Sequence, residues 1–205
     1  MNTVRGVFLA CVTGGALAIL PADARAQTSA TPGETEPAHT SDLSEQAKTI
    51  ESLLDRLSKA ESKSEAKSLE RQVVTAWNAS GSDTVDLLVA RAGGAIKAKD
   101  FGVALQYLDT AITIQPDFAE AWNMRATVYY LIDEYELSLA DIRQVLVRQP
   151  RHFGALSGLG LIFRQIDEPE KALEAYRQVE AVHPYFGTVR ESIEKLEKEV
   201  GGKAI

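Results

Sequence analysis

The side chains able to do chemistry are few and scattered. In 205 residues there are three histidines, His39, His152 and His183, and one cysteine, Cys11. Catalysis needs an acid, base, nucleophile or metal held in place by partners. His39 lies in a Thr/Ser/Pro/Gly/Glu stretch and is read as inert. His152 and His183 each stand beside a proline, Pro150 and Pro184, at expected helix entrances, where an imidazole caps or packs rather than ligates. There is no His-Glu-x-x-His, no phosphate loop and no Gly-x-Ser-x-Gly. Gly158-Leu159-Gly160 falls inside a helical pattern with no strand before it, so it reads as packing. Asp133, Glu134 and Glu136 cluster at a polar turn and read as a solvated face; Asn78-Ala79-Ser80 matches a glycosylation acceptor by chance. No catalytic residue, cofactor or metal is expected.

Residues 1–26 read as a secretory leader. Arg5 supplies the positive start, residues 7–20 an uncharged apolar run, and Ala24-Arg25-Ala26 a cleavage site that leaves Gln27 first. The alternative is a retained anchor helix, but the run is short for a span of about 20 residues and holds Gly14 and Gly15. Lipid attachment at Cys11 has a poor lead-in in Phe8-Leu9-Ala10. Cys11 leaves with the leader, so the mature chain forms no disulfide, which suits an oxidising compartment. The whole chain carries −7 and the leader +1, leaving −8. That charge favours neither nucleic acid nor anionic membrane surfaces. Residues 27–41 are expected to be a disordered linker.

The remaining chain supplies helices. Pro116, Pro150 and Pro184 fall 34 residues apart (150 − 116 and 184 − 150), the length of a two-helix repeat. In that register Leu88, Trp122 and Leu156 align as large residues, and Ala92, Ala126 and Gly160 as small ones. Ala104, Ser138 and Ala172 are again small; Leu108, Ile142 and Tyr176 are bulky; Ala111, Val145 and Val179 are small to medium. Small residues let helices approach and bulky ones fill the remaining gap. Polar breaks at Lys99-Asp100, Asp133-Glu134 and Asp167-Glu168 split each unit in two.

These positions resemble the tetratricopeptide repeat (TPR) family over three copies: residues 85–118, 119–152 and 153–186. The departures are Ala95 in the first copy, where an aromatic is usual, and Arg125 in the second, where an apolar residue is usual. The resemblance implies an all-α, right-handed superhelix of antiparallel helix pairs. Residues 42–84 form a helical hairpin, spaced like a degenerate repeat but with Glu70 and Trp77 where small residues belong. Asp42 reads as its N-cap, Leu43, Ala47, Ile50, Leu54 and Leu57 as one apolar face, and a second helix covers 64–78. Gly81 ends that helix and Asp83 caps the next. The hairpin is expected to cap the first repeat; the alternative is a coiled-coil segment, which falls short of three heptads. A last helix over 187–200, with Glu191–Lys195 and Glu194–Lys198 pairs, caps the other end.

In the family the first helix of each unit lines a concave groove. The resemblance implies Val89 in the first repeat; Asn123, Met124, Thr127 and Tyr130 in the second; and Leu161, Arg164 and Gln165 in the third. Met124, Tyr130 and Leu161 would form an apolar floor. Asn123, Arg164 and Gln165 would hold a peptide backbone or carboxylate. The alternative is that these residues are core, or lie under the last helix. Members that clamp the C-terminal carboxylate of heat-shock chaperones carry Lys and Asn in this groove. Here those positions are Val89, Gly93, Met124, Gly154 and Gly158, so no such clamp is expected. The expected function is a non-catalytic, monomeric scaffold in the bacterial periplasm, binding a protein or peptide partner. The alternative is a structural subunit stacking end to end through hairpin and last helix.

Overall fold

The computed structural model describes residues 38–202. The leader and residues 27–37 of the linker lie outside the described residues, as do the cleavage site and Cys11. Among the described residues there are nine helices and no strand: α1 Ala38–Ser58, α2 Lys63–Trp77, α3 Asp83–Lys97, α4 Phe101–Ile114, α5 Ala119–Leu131, α6 Tyr135–Arg148, α7 Phe153–Gln165, α8 Pro169–Val182 and α9 Val189–Gly202.

The pairs α3–α4, α5–α6 and α7–α8 are the three repeats, and α4 packs on α5 as α6 packs on α7. Each polar break is a tight left-handed turn: Lys99, Asp133 and Asp167 have φ of 59°, 62° and 58°. The next amide, of Asp100, Glu134 or Glu168, donates back to the carbonyl of Ala95, Tyr129 or Phe163 at 2.8–2.9 Å. That bond satisfies one of the orphan carbonyls of the first helix as the chain reverses. Pro169 starts α8, where its missing N–H costs nothing. Inside each pair a small residue faces a bulky one. Ala92 and Leu108 share one buried cluster, Ala126 and Ile142 another. At Gly160 an added Cβ would stand 2.6 Å from the Tyr176 ring.

Arg125 has a partner on each side. Its guanidinium takes the Asp141 carboxylate in a two-pronged grip at 2.7 and 2.8 Å, and reaches Asp109 of α4 at 2.7 Å. It also lies over the rings of Trp122 and Tyr129, at 4.8 and 5.8 Å. The hydrogen bond to Asp141 is the main force holding its pKa further above the usual arginine value. The buried Asp141 is thereby neutralised.

The hairpin departs from expectation in two ways. First, α1 begins at Ala38, so Asp42 lies inside the helix and not at its start, and Ala47 is exposed. Second, α1–α2 does not stack on the first repeat; α2 makes almost no contact with α3. It lies instead along the edge formed by the turns between repeats. Trp77 stacks on His152 with centroids 4.0 Å apart and meets Phe153 at 4.9 Å. Glu70 faces the His183 Nε2 at 3.4 Å. Arg151 donates to Glu51 and Asp55, the Tyr185 hydroxyl to the Glu61 carbonyl, and Gln115 to the Ser80 carbonyl. Glu70 and Trp77, the two residues that break the repeat pattern, are docking groups. Leu54, Leu57, Leu69, Val73 and Trp77 join one core with Phe153, Tyr176, Val182 and Ile193. Ser82, not Asp83, caps α3, accepting from the Val85 amide.

At the far end α9 packs on α8 through Val189, Ile193 and Leu196. The expected pairs along its outer face give way to bridges across the helix interface, Arg177–Glu197 at 2.8 Å and Arg190–Glu180 at 3.0 Å.

Candidate functional site

The concave face is built by α3, α5 and α7, the first helices of the repeats. Helical periodicity brings Asn123, Thr127 and Tyr130 of α5 opposite Ser157, Gly158 and Leu161 of α7. Between them is a hollow of about 180 Å³. Its floor is Ala126, Ile142 and Ile162, and Phe186 from the α8–α9 turn walls one side. Gly158 keeps it open: the nearest atom to an added Cβ would be Ile142 Cδ1 at 3.5 Å.

The structure gathers four of the eight expected residues here. Thr127 is exposed, Leu161 is 41 % exposed, and Asn123 and Tyr130 are half-buried. Val89 is not among them. It is 7 % exposed and packs with Val85, Ala111 and Ile112, because the inner face of α3 is used up against α4 and α5. Met124 is half-buried and bridges the two clusters around α3 and α4. Its methyl lies 3.6 Å from the position of a Gly93 Cβ, so that glycine leaves it room.

The polar residues expected to hold a backbone are engaged within the chain. Asn123 Nδ2 donates to Glu120 at 3.0 Å, and Thr127 donates to the Asn123 carbonyl. Gln165 donates to the Tyr135 hydroxyl, which donates in turn to Asp133. Arg164 acts on the Tyr176 phenol, whose pKa burial pushes up and the nearby guanidinium partly restores. Apolar surface, Tyr130, Leu161 and Phe186, is therefore what the hollow offers. A larger trough of about 920 Å³ lies elsewhere, on the hairpin, where polar side chains such as Gln46, Thr49 and Arg71 alternate with apolar ones such as Leu53, Ala76 and Ala79.

The histidines behave as packing and capping groups. His152 Nδ1 accepts from the Ala155 amide at 3.0 Å, capping α7, so its Nε2 carries the proton that faces Glu120 at 3.3 Å. His183 sits edge-on to Phe153, and burial lowers its pKa against the opposing pull of Glu70. No group of three metal-ligating side chains occurs among the described residues. No helix of the described residues is long and apolar enough to cross a membrane.

Two features were not foreseen. The Asp109–Arg125–Asp141 ladder has a signal in the sequence, the equal spacing of 16 on either side of Arg125. Phe186 has none, since its role depends on where α9 folds.

A family model described as tetratricopeptide repeat matches residues 133–185. A TPR repeat-containing protein of Rhizobium etli is 35 % identical over 153 residues, covering 75 % of each chain. The small glutamine-rich tetratricopeptide repeat-containing protein 2 of Saccharomyces cerevisiae is 31 % identical over 85 residues, 42 % of this chain and 25 % of that one. Among solved structures, the first TPR of Spaghetti bound to an HSP90 peptide has a TM-score of 0.56 at 15 % identity, covering 58 % of this chain and 95 % of that chain. MamA has a TM-score of 0.54 at 20 % identity, covering 68 % and 83 %. At these identities the structural likeness concerns the fold.

Proposed function

The chain belongs to the tetratricopeptide repeat family, whose members are protein–protein interaction scaffolds, and from that premise we propose that it presents its concave face to a partner in the bacterial cell envelope. The observation that carries this reading is the hollow between α5 and α7, which is lined by Tyr130, Leu161 and Phe186 and kept open by Gly158. Partly exposed apolar side chains in a concavity with few free polar groups suit the apolar face of a partner helix or the side chains of an extended peptide. The groove lacks the lysines of a carboxylate clamp, so affinity rests on apolar burial. The HSP90 peptide held by the Spaghetti domain illustrates peptide capture by this fold. The role is non-catalytic. The leader-like residues 1–26 support a periplasmic location.

Cross-linking in intact cells, comparing the parent with Leu161→Arg and Thr127→Arg, tests the groove. Both positions are exposed, so the fold should be kept. A partner captured by the parent and lost from both variants is the expected result; one retained by both overturns the groove assignment. Fractionation and N-terminal sequencing test the compartment, with Gln27 expected as first residue.

A further inference from the structure

The hairpin's position along the edge means that, among the described residues, one end of the array is uncovered. In the second and third repeats, the face turned toward the preceding unit is fully buried: Ala121 and Val128 under α4, Ala155 and Ile162 under α6. The equivalent residues of the first repeat are Leu87, which is 53 % exposed, and Gly94, where an added Cβ would have nothing within 4 Å. No contact among the described residues explains a glycine in mid-helix, where it is unfavourable.

The exposed stripe on this face is Asp83, Leu87, Ala90, Gly94 and Lys97. Its steps of four, three, four and three follow the seam of a two-helix contact. Turned end for end about Ala90, the stripe nearly matches itself: Asp83 meets Lys97 and Ala90 meets Ala90, while Leu87, three residues from the axis, comes within one residue, about 1.5 Å, of Gly94, four residues from it. Large falls beside absent, and negative against positive, twice over. Small residues at the centre allow the two backbones to approach closely, and antiparallel helices bring opposite dipole ends together. A self-complementary patch of this kind is what a two-fold interface requires.

We propose that α3 is a homodimerisation helix, pairing antiparallel with α3 of a second copy about Ala90. This replaces the monomer expected above and is independent of the groove reading. One helix pair is a small interface, so the dimer is weak and concentration-dependent.

Sedimentation equilibrium of the chain as purified from its own cells should show the mass rising from one chain to two with concentration. Asp83→Lys sets lysine against Lys97 at both ends and should weaken the dimer at least about tenfold; Lys97→Asp should do the same. Combining the two should restore dimerisation to near the parental level, a rescue that a folding defect cannot imitate. Far-UV circular dichroism checks helix content for each variant. In a chain carrying Cys11→Ser, Ala90→Cys should give a disulfide-linked dimer under mild oxidation. A mass of one chain at every concentration overturns the proposal and leaves the face to a different partner. A dimer insensitive to both single charge reversals, or no rescue in the double variant, overturns it as well.

Discussion

The contact between Gly160 and Tyr176 makes a sharp test of the packing argument. Gly160→Ala adds one methyl, whose carbon would lie 2.6 Å from Tyr176 Cε1 and 2.8 Å from Cδ1 and Cζ. Real Cβ contacts are not that short, so the ring or the helix must move. The ring is 2 % exposed and surrounded by core, which leaves it no free direction. Overpacking a full core costs about 1–3 kcal/mol, and a clash with a buried ring belongs near the top of that range. Replacing glycine with alanine in a helix returns about 1 kcal/mol. The net expectation is a loss of about 2 kcal/mol, or roughly 4–8 °C in melting temperature for a domain of this size. Two internal controls sharpen it. Gly158→Ala lies in the same helix but meets only Ile142 at an ordinary 3.5 Å, so it should be neutral or stabilising. Gly160→Ala with Tyr176→Leu recreates the Ala92–Leu108 pair of the first repeat. The double variant should therefore lose less than the two single variants together, by at least about 1 kcal/mol. Urea denaturation followed by circular dichroism measures all four. Additive losses, or a stabilising Gly160→Ala, would refute the small-against-bulky account.

Other perturbations probe other parts. Arg125→Met should cost about 3–5 kcal/mol by stranding the buried Asp141, and adding Asp141→Leu should recover most of it in the same urea assay. Trp77→Ala should cost about 3–5 kcal/mol and detach the hairpin, seen as new protease cleavage between α2 and α3. His183 titrates lower when folded than unfolded, so the unfolded chain takes up the proton first. Its contribution is whole above about pH 6.5 and is lost as pH falls from there toward the folded pKa. The stability difference between parent and His183→Phe should therefore shift against the parent on acidification, measured as urea midpoints from pH 7.5 to 5.

The repeats were legible because each position is fixed by its immediate neighbours. Ala126 must be small because Ile142 is large, and both recur one repeat away. The hollow was half legible for the same reason: Thr127 and Leu161 hold the same place in successive repeats. Val89 misleads because the first repeat, lacking a unit stacked on it, closes its own inner face with α5. The polar groove residues mislead because a side chain's free end can choose among partners, as Gln165 chose Tyr135. The hairpin's position was not legible, since local spacing says nothing of docking across 100 residues. Its clue was present in Trp77 and Glu70, too large and too charged for the slot a repeat would give them.

The hairpin changes what kind of object the array is. Repeat proteins behave as one-dimensional chains whose ends can unzip independently. Here the contacts of Arg151, His183 and Tyr185 with α1, α2 and the turn joining them bridge 96 to 124 residues of sequence. They close the line into a ring, in which the last turn cannot fray without releasing the first helices. Loss of one unit is then loss of all, and the molecule should melt in a single transition with the slower folding that long-range closure imposes.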